Sequence, residues 1–183
     1  FRIYSMTKPI TSVAAMMLYE EGKFKLDDPV SKYIPEFKGL KVVADPTSSE
    51  ITQVAQKREM TIRDLLRHTS GLTYGIFGNT AVDKLYREAR AIGEAGTLKG
   101  MAKKLGGIAL LYQPGTKWHY SVSTDVVGHL VEVLSCQPLD KFFAERIFEP
   151  LGMKDTGFYV PPEKLRRFAT NYGPKPQGGL RVL

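Results

Sequence analysis

Tyr4-Ser5-Met6-Thr7-Lys8-Pro9-Ile10-Thr11-Ser12-Val13-Ala14-Ala15-Met16-Met17-Leu18-Tyr19-Glu20-Glu21-Gly22 is the stretch from which the rest of the chain is read. Ile10, Val13, Ala14, Met17 and Leu18 recur at i, i+3, i+4, i+7 and i+8, which predicts a helix from Ser5 to Gly22 with that stripe buried. Pro9 does not forbid it, because in a helix starting at Ser5 or Met6 its missing N–H is among the first four, which lack intrahelical partners. Lys8 is the opposing signal, since a residue before proline is pushed away from helical angles. On such a helix Ser5-x-x-Lys8 sets a hydroxyl and an amine on one face, one turn apart. The helix N-terminus favours negative charge on the Ser5 oxygen, and a half-buried Lys8, pushed toward its neutral form, would take the serine proton. In an arbitrary protein, the commoner origin of this tetrapeptide is a capping serine beside a solvated lysine.

Moving outward, Gly22 ends the first helix, and Asp27-Asp28-Pro29 opens a short one with Asp28 as cap, stopped by Pro35. Residues 39–58 read as a surface loop with a brief strand over Leu40 to Val43. Thr61-x-x-Asp64 is a capping box for a helix from Ile62 to His68, ended by Gly71. Residues 80–105 carry Val82, Leu85, Tyr86, Ala89 and Ile92 at helical spacing, but Gly93, Gly96 and Gly100 break them into a flap of helical pieces. The turn Gln113-Pro114-Gly115-Thr116 leads to Trp118-His119-Tyr120-Ser121. A second stripe follows, Val126, Val127, Leu130, Val131 and Leu134, with Ser121 or Ser123 as its cap. Pro138 precedes a further helix carrying Phe142, Phe143, Ile147 and Phe148, ended by Pro150 and Gly152. The tail from Tyr172 is rich in Gly and Pro. With no repeat, low-complexity tract or linker, residues 1–183 read as one domain.

The 183 residues are 43% hydrophobic and 25% charged, the proportions of one soluble globular domain. A single cysteine, Cys136, excludes an internal disulfide and any Cys-based zinc site, and it leaves the compartment open. The longest apolar run, Val13 to Tyr19, is too short to span a bilayer. The chain opens on Phe1 without a charged segment and apolar stretch after it, so a signal peptide is expected to be absent or removed. The net charge of +7 is spread in singles and pairs without a zinc-finger or RNP pattern, so a solvated basic surface is expected rather than nucleic-acid binding. His68, His119 and His129 lack ligand spacing, and there is no Walker A or GxGxxG segment. No metal and no cofactor are therefore expected. There is no G-x-S-x-G elbow, and both His68-Thr69-Ser70-Gly71 and Asp155-Thr156-Gly157 read as turns.

Five segments in order, F-R-I-Y-S-M-T-K-P-I-T, G-K-F-K-L-D-D-P-V-S-K-Y-I-P-E-F, M-T-I-R-D-L-L-R-H-T-S-G-L, P-G-T-K-W-H-Y-S-V-S-T-D-V-V-G and F-x-P-L-G-M-K-D-T-G-F, together resemble the serine beta-lactamase-like hydrolases. Within them the chain looks most like the carboxylesterases related to class C beta-lactamases, with D-alanyl-D-alanine carboxypeptidases as cousins. The resemblance implies an α+β, beta-lactamase/transpeptidase-like fold. This chain would supply mostly its helical region, with most of the antiparallel sheet missing and the domain incomplete at both ends. It also implies Ser5 as the acylated nucleophile, Lys8 as its proton-accepting partner and Tyr120 as general base or proton shuttle. A phenol beside an ammonium is held below its usual value near 10, which suits that role.

Two departures from the family pattern stand out. Tyr120-Ser121-Val122 replaces the usual Tyr-x-Asn, as in the esterase branch, which lowers the expectation of beta-lactam turnover. No Lys-Thr-Gly, His-Thr-Gly or Trp-x-Gly triplet follows residue 160. Of the oxyanion hole only the Ser5 N–H is then at hand, and losing one donor costs about 100- to 1000-fold in rate. The expected activity is hydrolysis of a small ester through an acyl-enzyme on Ser5, with Trp118, Tyr74 and Phe77 lining an apolar acyl pocket. The alternatives are amide cleavage, as a beta-lactamase or D-Ala-D-Ala carboxypeptidase, and a non-catalytic helical interaction module. Acyl preference and oligomeric state are not legible in the sequence.

Overall fold

A computed structural model describes residues 1–183. A 3₁₀ turn, Tyr4–Met6, runs directly into α1 (Thr7–Glu20), and Pro9 falls at its third position, where the missing N–H leaves no bond unmade. The buried face differs from the predicted stripe. Thr11, Ala14, Ala15 and Leu18 are buried, Ile10 and Met17 are half-buried, and Val13 is 52% exposed. The inward side is thus rotated by about one residue, and its small side chains let α1 lie close against α5 (Ser123–Ser135).

Helix α5 is the centre of the molecule and also packs on α2 (Ile62–Leu66), α4 (Leu98–Leu105) and α6 (Leu139–Phe143). Gly128 marks the crossing, because a β-carbon there would stand 3.0 Å from Leu139, 3.4 Å from Leu98 and 3.9 Å from Thr11. The N-cap of α5 is Val122, not either serine, although the Ser121 hydroxyl accepts the Ser123 N–H at 3.3 Å. The Thr61–Asp64 capping box starts α2 as read, but the helix ends at Leu66, and His68 itself takes a left-handed conformation at φ 56°. A second box, Thr80 with Asp83, starts α3 (Ala81–Glu88). Gly93 and Gly96 lie between α3 and α4, whereas Gly100 sits inside α4 rather than breaking it. A π-turn, Ala144–Phe148, extends α6 and buries Ile147 and Phe148.

The expected helix after Asp28 is a single 3₁₀ turn, Val30–Lys32, with Pro29 extended at its cap. Asp28 instead accepts from the Lys25 N–H, Lys32 and Tyr33. Pro35 opens a second 3₁₀ turn, Pro35–Phe37, rather than simply ending the first. Two small antiparallel hairpins complete the chain. Strand β1 (Lys41–Val43) pairs with β2 (Gln53–Ala55), and β3 (Tyr172–Pro174) with β4 (Leu180–Val182). Of these strands the sequence marks only β1, because short, exposed strands such as β2 and β4 carry no period to read. The chain is therefore α+β with helices dominant, and buried apolar side chains from α1 to the π-turn form one contiguous core. No helix is long and apolar enough to cross a membrane.

Candidate active site

Backbone geometry presents Ser5 just before α1. Tyr4 takes φ 44°, in the left-handed region that side-chain-bearing residues rarely occupy, so the chain turns sharply one residue before the hydroxyl. Asn171, next to β3, donates to the Tyr4 hydroxyl, and Arg2 lies 4.5 Å over the Phe168 ring, so both ends of the chain meet beside this turn.

Tyr120 reaches the same point from the segment before α5. Its hydroxyl stands 2.6 Å from Ser5 Oγ, across 115 residues of sequence, and Lys8 Nζ donates to Ser5 Oγ at 3.3 Å. The Lys8 ammonium also lies 4.8 Å from the centre of the Tyr120 ring and 5.5 Å from that of Tyr74. The three residues singled out in the sequence are thus in mutual contact.

Lys8 is half-buried beside two phenols and a carboxylate. Burial alone would lower its pKa, but the Tyr120 and Tyr74 phenols and the Asp125 carboxylate outweigh that and raise it, so Lys8 remains an ammonium. Burial would likewise raise Tyr120, yet Lys8 and the Ser5 hydroxyl hold it below the ordinary tyrosine value. Asp125, in the first turn of α5, is pushed up by burial and pulled partly back by Lys8. These opposed shifts favour an ammonium on Lys8 and a phenolate on Tyr120.

Tyr74, Phe77 and Trp118 line one cavity of about 260 Å³ together with Thr73, Gly78, His119 and Tyr120. Tyr74 stacks on Tyr120 with centroids 5.6 Å apart at 11°, and Phe77 closes on both. Phe77 and Trp118 are 72% and 64% exposed, which places them on the rim rather than in the core. A polar wall stands behind: Thr73 donates to the buried Asp83 at 2.6 Å, and His119 Nε2 lies 3.1 Å from the Thr73 hydroxyl.

His68, read from the sequence only as a helix end and a histidine without ligand spacing, and Asp125, which the sequence does not single out, both stand beside the trio. His68 packs its ring on Tyr120 at 5.0 Å and accepts the Ser121 N–H on Nδ1. Nothing in the sequence marks either for this place, because both depend on how α2 and α5 are docked. Ser70 does serve the turn read for it, accepting the Leu72 N–H, and its hydroxyl joins a buried chain through Ser123 to Ser121. Asp155 is likewise engaged in ordinary surface ion pairs, with Lys164 and Arg167. No group of three or more His, Cys, Asp or Glu side chains is arranged to hold a metal ion.

A helical body packed around one central helix, with a serine, a lysine and a tyrosine converging at the start of the first helix, defines a beta-lactamase/transpeptidase-like fold. The family model described as Beta-lactamase matches residues 1–182, and the chain belongs to that family. It is 39% identical over 181 residues to Protein Rv1367c of Mycobacterium tuberculosis (strain ATCC 25618 / H37Rv), covering 99% of this chain and 44% of the relative. Esterase EstB of Burkholderia gladioli is 34% identical over 175 residues, covering 94% of this chain and 41% of the relative. Among solved structures, EstCE1, described as a hydrolase with promiscuous acyltransferase activity, superposes with a TM-score of 0.81 at 30% identity, covering 100% of this chain and 45% of that one. The chain thus spans less than half the length of the relatives it matches.

Proposed function

We propose that this chain carries the nucleophilic centre of a serine hydrolase that cleaves small carboxylic esters through an acyl-enzyme on Ser5. The observation that carries this reading is the 2.6 Å contact between Ser5 Oγ and the Tyr120 oxygen beside a charged Lys8. As Ser5 Oγ bonds to the ester carbon, the Tyr120 phenolate takes its proton, and Lys8 stabilises the phenolate beforehand. The tetrahedral intermediate expels the alkoxide, which leaves with that proton. Water then attacks the acyl carbon as Tyr120 takes its proton, and the C–O bond to Ser5 breaks as that proton passes from Tyr120 to Ser5 Oγ, freeing the acid and restoring the phenolate.

Esters are favoured over beta-lactams because Tyr120-Ser121-Val122 lacks the amide of the usual Tyr-x-Asn, as in the esterase branch, and Val122 is instead buried and apolar. The printed names of relatives, an esterase and a hydrolase with acyltransferase activity, point the same way. Tyr74, Phe77 and Trp118 then form the acyl pocket, and the substrate is a small apolar ester.

Intact-mass spectrometry after exposure to a fluorophosphonate tests the nucleophile. The expected result is one adduct on the wild-type chain and none on Ser5→Ala. An unlabelled wild type, or an adduct that persists in the variant, overturns the reading. Hydrolysis of a short aryl ester in preference to a chromogenic cephalosporin would then place the substrate class.

A further inference from the structure

His68 grips the backbone on both sides of Tyr120. Its carbonyl oxygen accepts the His119 N–H at 2.8 Å, and its Nδ1 accepts the Ser121 N–H at 3.3 Å. The imidazole also lies against the Tyr120 ring, with the edge of Trp118 beyond it. His68 makes both contacts from a left-handed φ of 56°, a conformation that persists in a residue with a β-carbon only where its surroundings over-determine it. Nδ1 receives the Ser121 N–H only while it is unprotonated, with the ring proton on Nε2, and the Ser121 hydroxyl oxygen lies 3.4 Å from the same nitrogen.

We propose that His68 is a positioning residue: as the neutral Nε2–H imidazole it holds the His119-Tyr120-Ser121 backbone so that the Tyr120 oxygen meets Ser5, and protonation releases that hold. The inference rests on the roles assigned above to Ser5 and Tyr120. A proton on Nδ1 would oppose the Ser121 N–H and place a second cation near the Lys8 ammonium. The titratable groups facing the imidazole are Lys8 from α1 and His119 and Tyr120 from the segment before α5; Asp125 of α5 acts on Lys8 and Tyr120. Burial first, then the charges of Lys8 and His119, keep His68 below its ordinary value. The neutral form thus prevails at neutral pH and is lost as pH falls through that lowered value.

The test follows fluorophosphonate labelling of Ser5 against pH in the full chain, with His68→Asn and His68→Leu. Asparagine tolerates the left-handed backbone and offers an acceptor oxygen near the place of Nδ1. His68→Asn is expected to label within about 5-fold of wild type at pH 8 and to lose the imidazole's acid limb, whereas His68→Leu slows about 100-fold. Wild-type labelling by His68→Leu, or an unchanged acid limb in His68→Asn, overturns the proposal. The ¹⁵N resonances of the wild-type imidazole give a reading independent of labelling and of whether the leucine variant folds. An Nε2–H tautomer is expected, and a proton on Nδ1 at pH 7.5 overturns the proposal. If wild type does not label at all, the hydrolase reading falls, and the imidazole tautomer still decides whether His68 holds this backbone.

Discussion

At the residue scale, the chemistry depends on which group near Ser5 holds a proton. Lys8 is raised and Tyr120 lowered, so labelling should increase with pH as Tyr120 ionises below the ordinary tyrosine range and decline only once Lys8 loses its charge. A stopped-flow pH profile of fluorophosphonate labelling checks this. Tyr120→Phe should slow labelling by about 100- to 10,000-fold, the usual worth of a positioned acid–base group. Lys8→Arg separates charge from proton transfer. In the proposed mechanism Lys8 acts as an ammonium, so arginine should label at least about 10-fold faster than Lys8→Ala, despite its different shape; equal rates would return the base role to Lys8. The sequence spacing placed Ser5 and Lys8 on one face, but their protonation was not legible there, since it is set by Tyr74, Tyr120 and Asp125, which are distant in sequence.

At the element scale, the helices are held by their caps and by close packing on α5. Asp64 accepts both Arg58 nitrogens, at 2.6 and 2.9 Å, as well as the Thr61 N–H and the Thr69 hydroxyl. Burial would raise its pKa, but these bonds outweigh it and lower it. Its stabilising effect is therefore present above the unfolded carboxylate value and is lost as pH falls through the folded one. Asp64→Ala should cost about 2–4 kcal/mol and flatten acid unfolding below pH 4, as read by urea melts across pH. The two faces of α1 should differ as well. Leu18→Ala should cost about 2–5 kcal/mol, and Val13→Gln should remain within about 0.5 kcal/mol of wild type. At the crossing, Gly128→Val should destabilise by about 1–3 kcal/mol through overpacking against Leu139 and Leu98. These caps and apolar periods are local, so α1, α2, α5 and α6 could be read from the sequence. The rotation of the α1 stripe could not, because Val13 and Thr11 change places according to where α5 lies.

At the scale of the whole molecule, the site exists only while α1 and the segment before α5 are docked together. Labelling of Ser5 should therefore disappear in urea at the same midpoint as the far-UV circular dichroism. A labelling midpoint well below the unfolding midpoint would mean that the Ser5 turn opens by itself. The molecule also shows apolar side chains to solvent at Phe1, Tyr4, Met6 and Val13, around the outer side of α1 and its leading turn.

The sequence by itself determined the family and the principal helices and singled out Ser5, Lys8 and Tyr120, because periodicity, caps and motif residues are written over short stretches. Tertiary structure alone decided the buried face of α1, the surroundings that raise Lys8, the shape of the aromatic cavity and the contacts of His68 around Tyr120. Each of those depends on groups 40 or more residues apart that meet only when the helices pack around α5, and no local pattern encodes a contact at that distance.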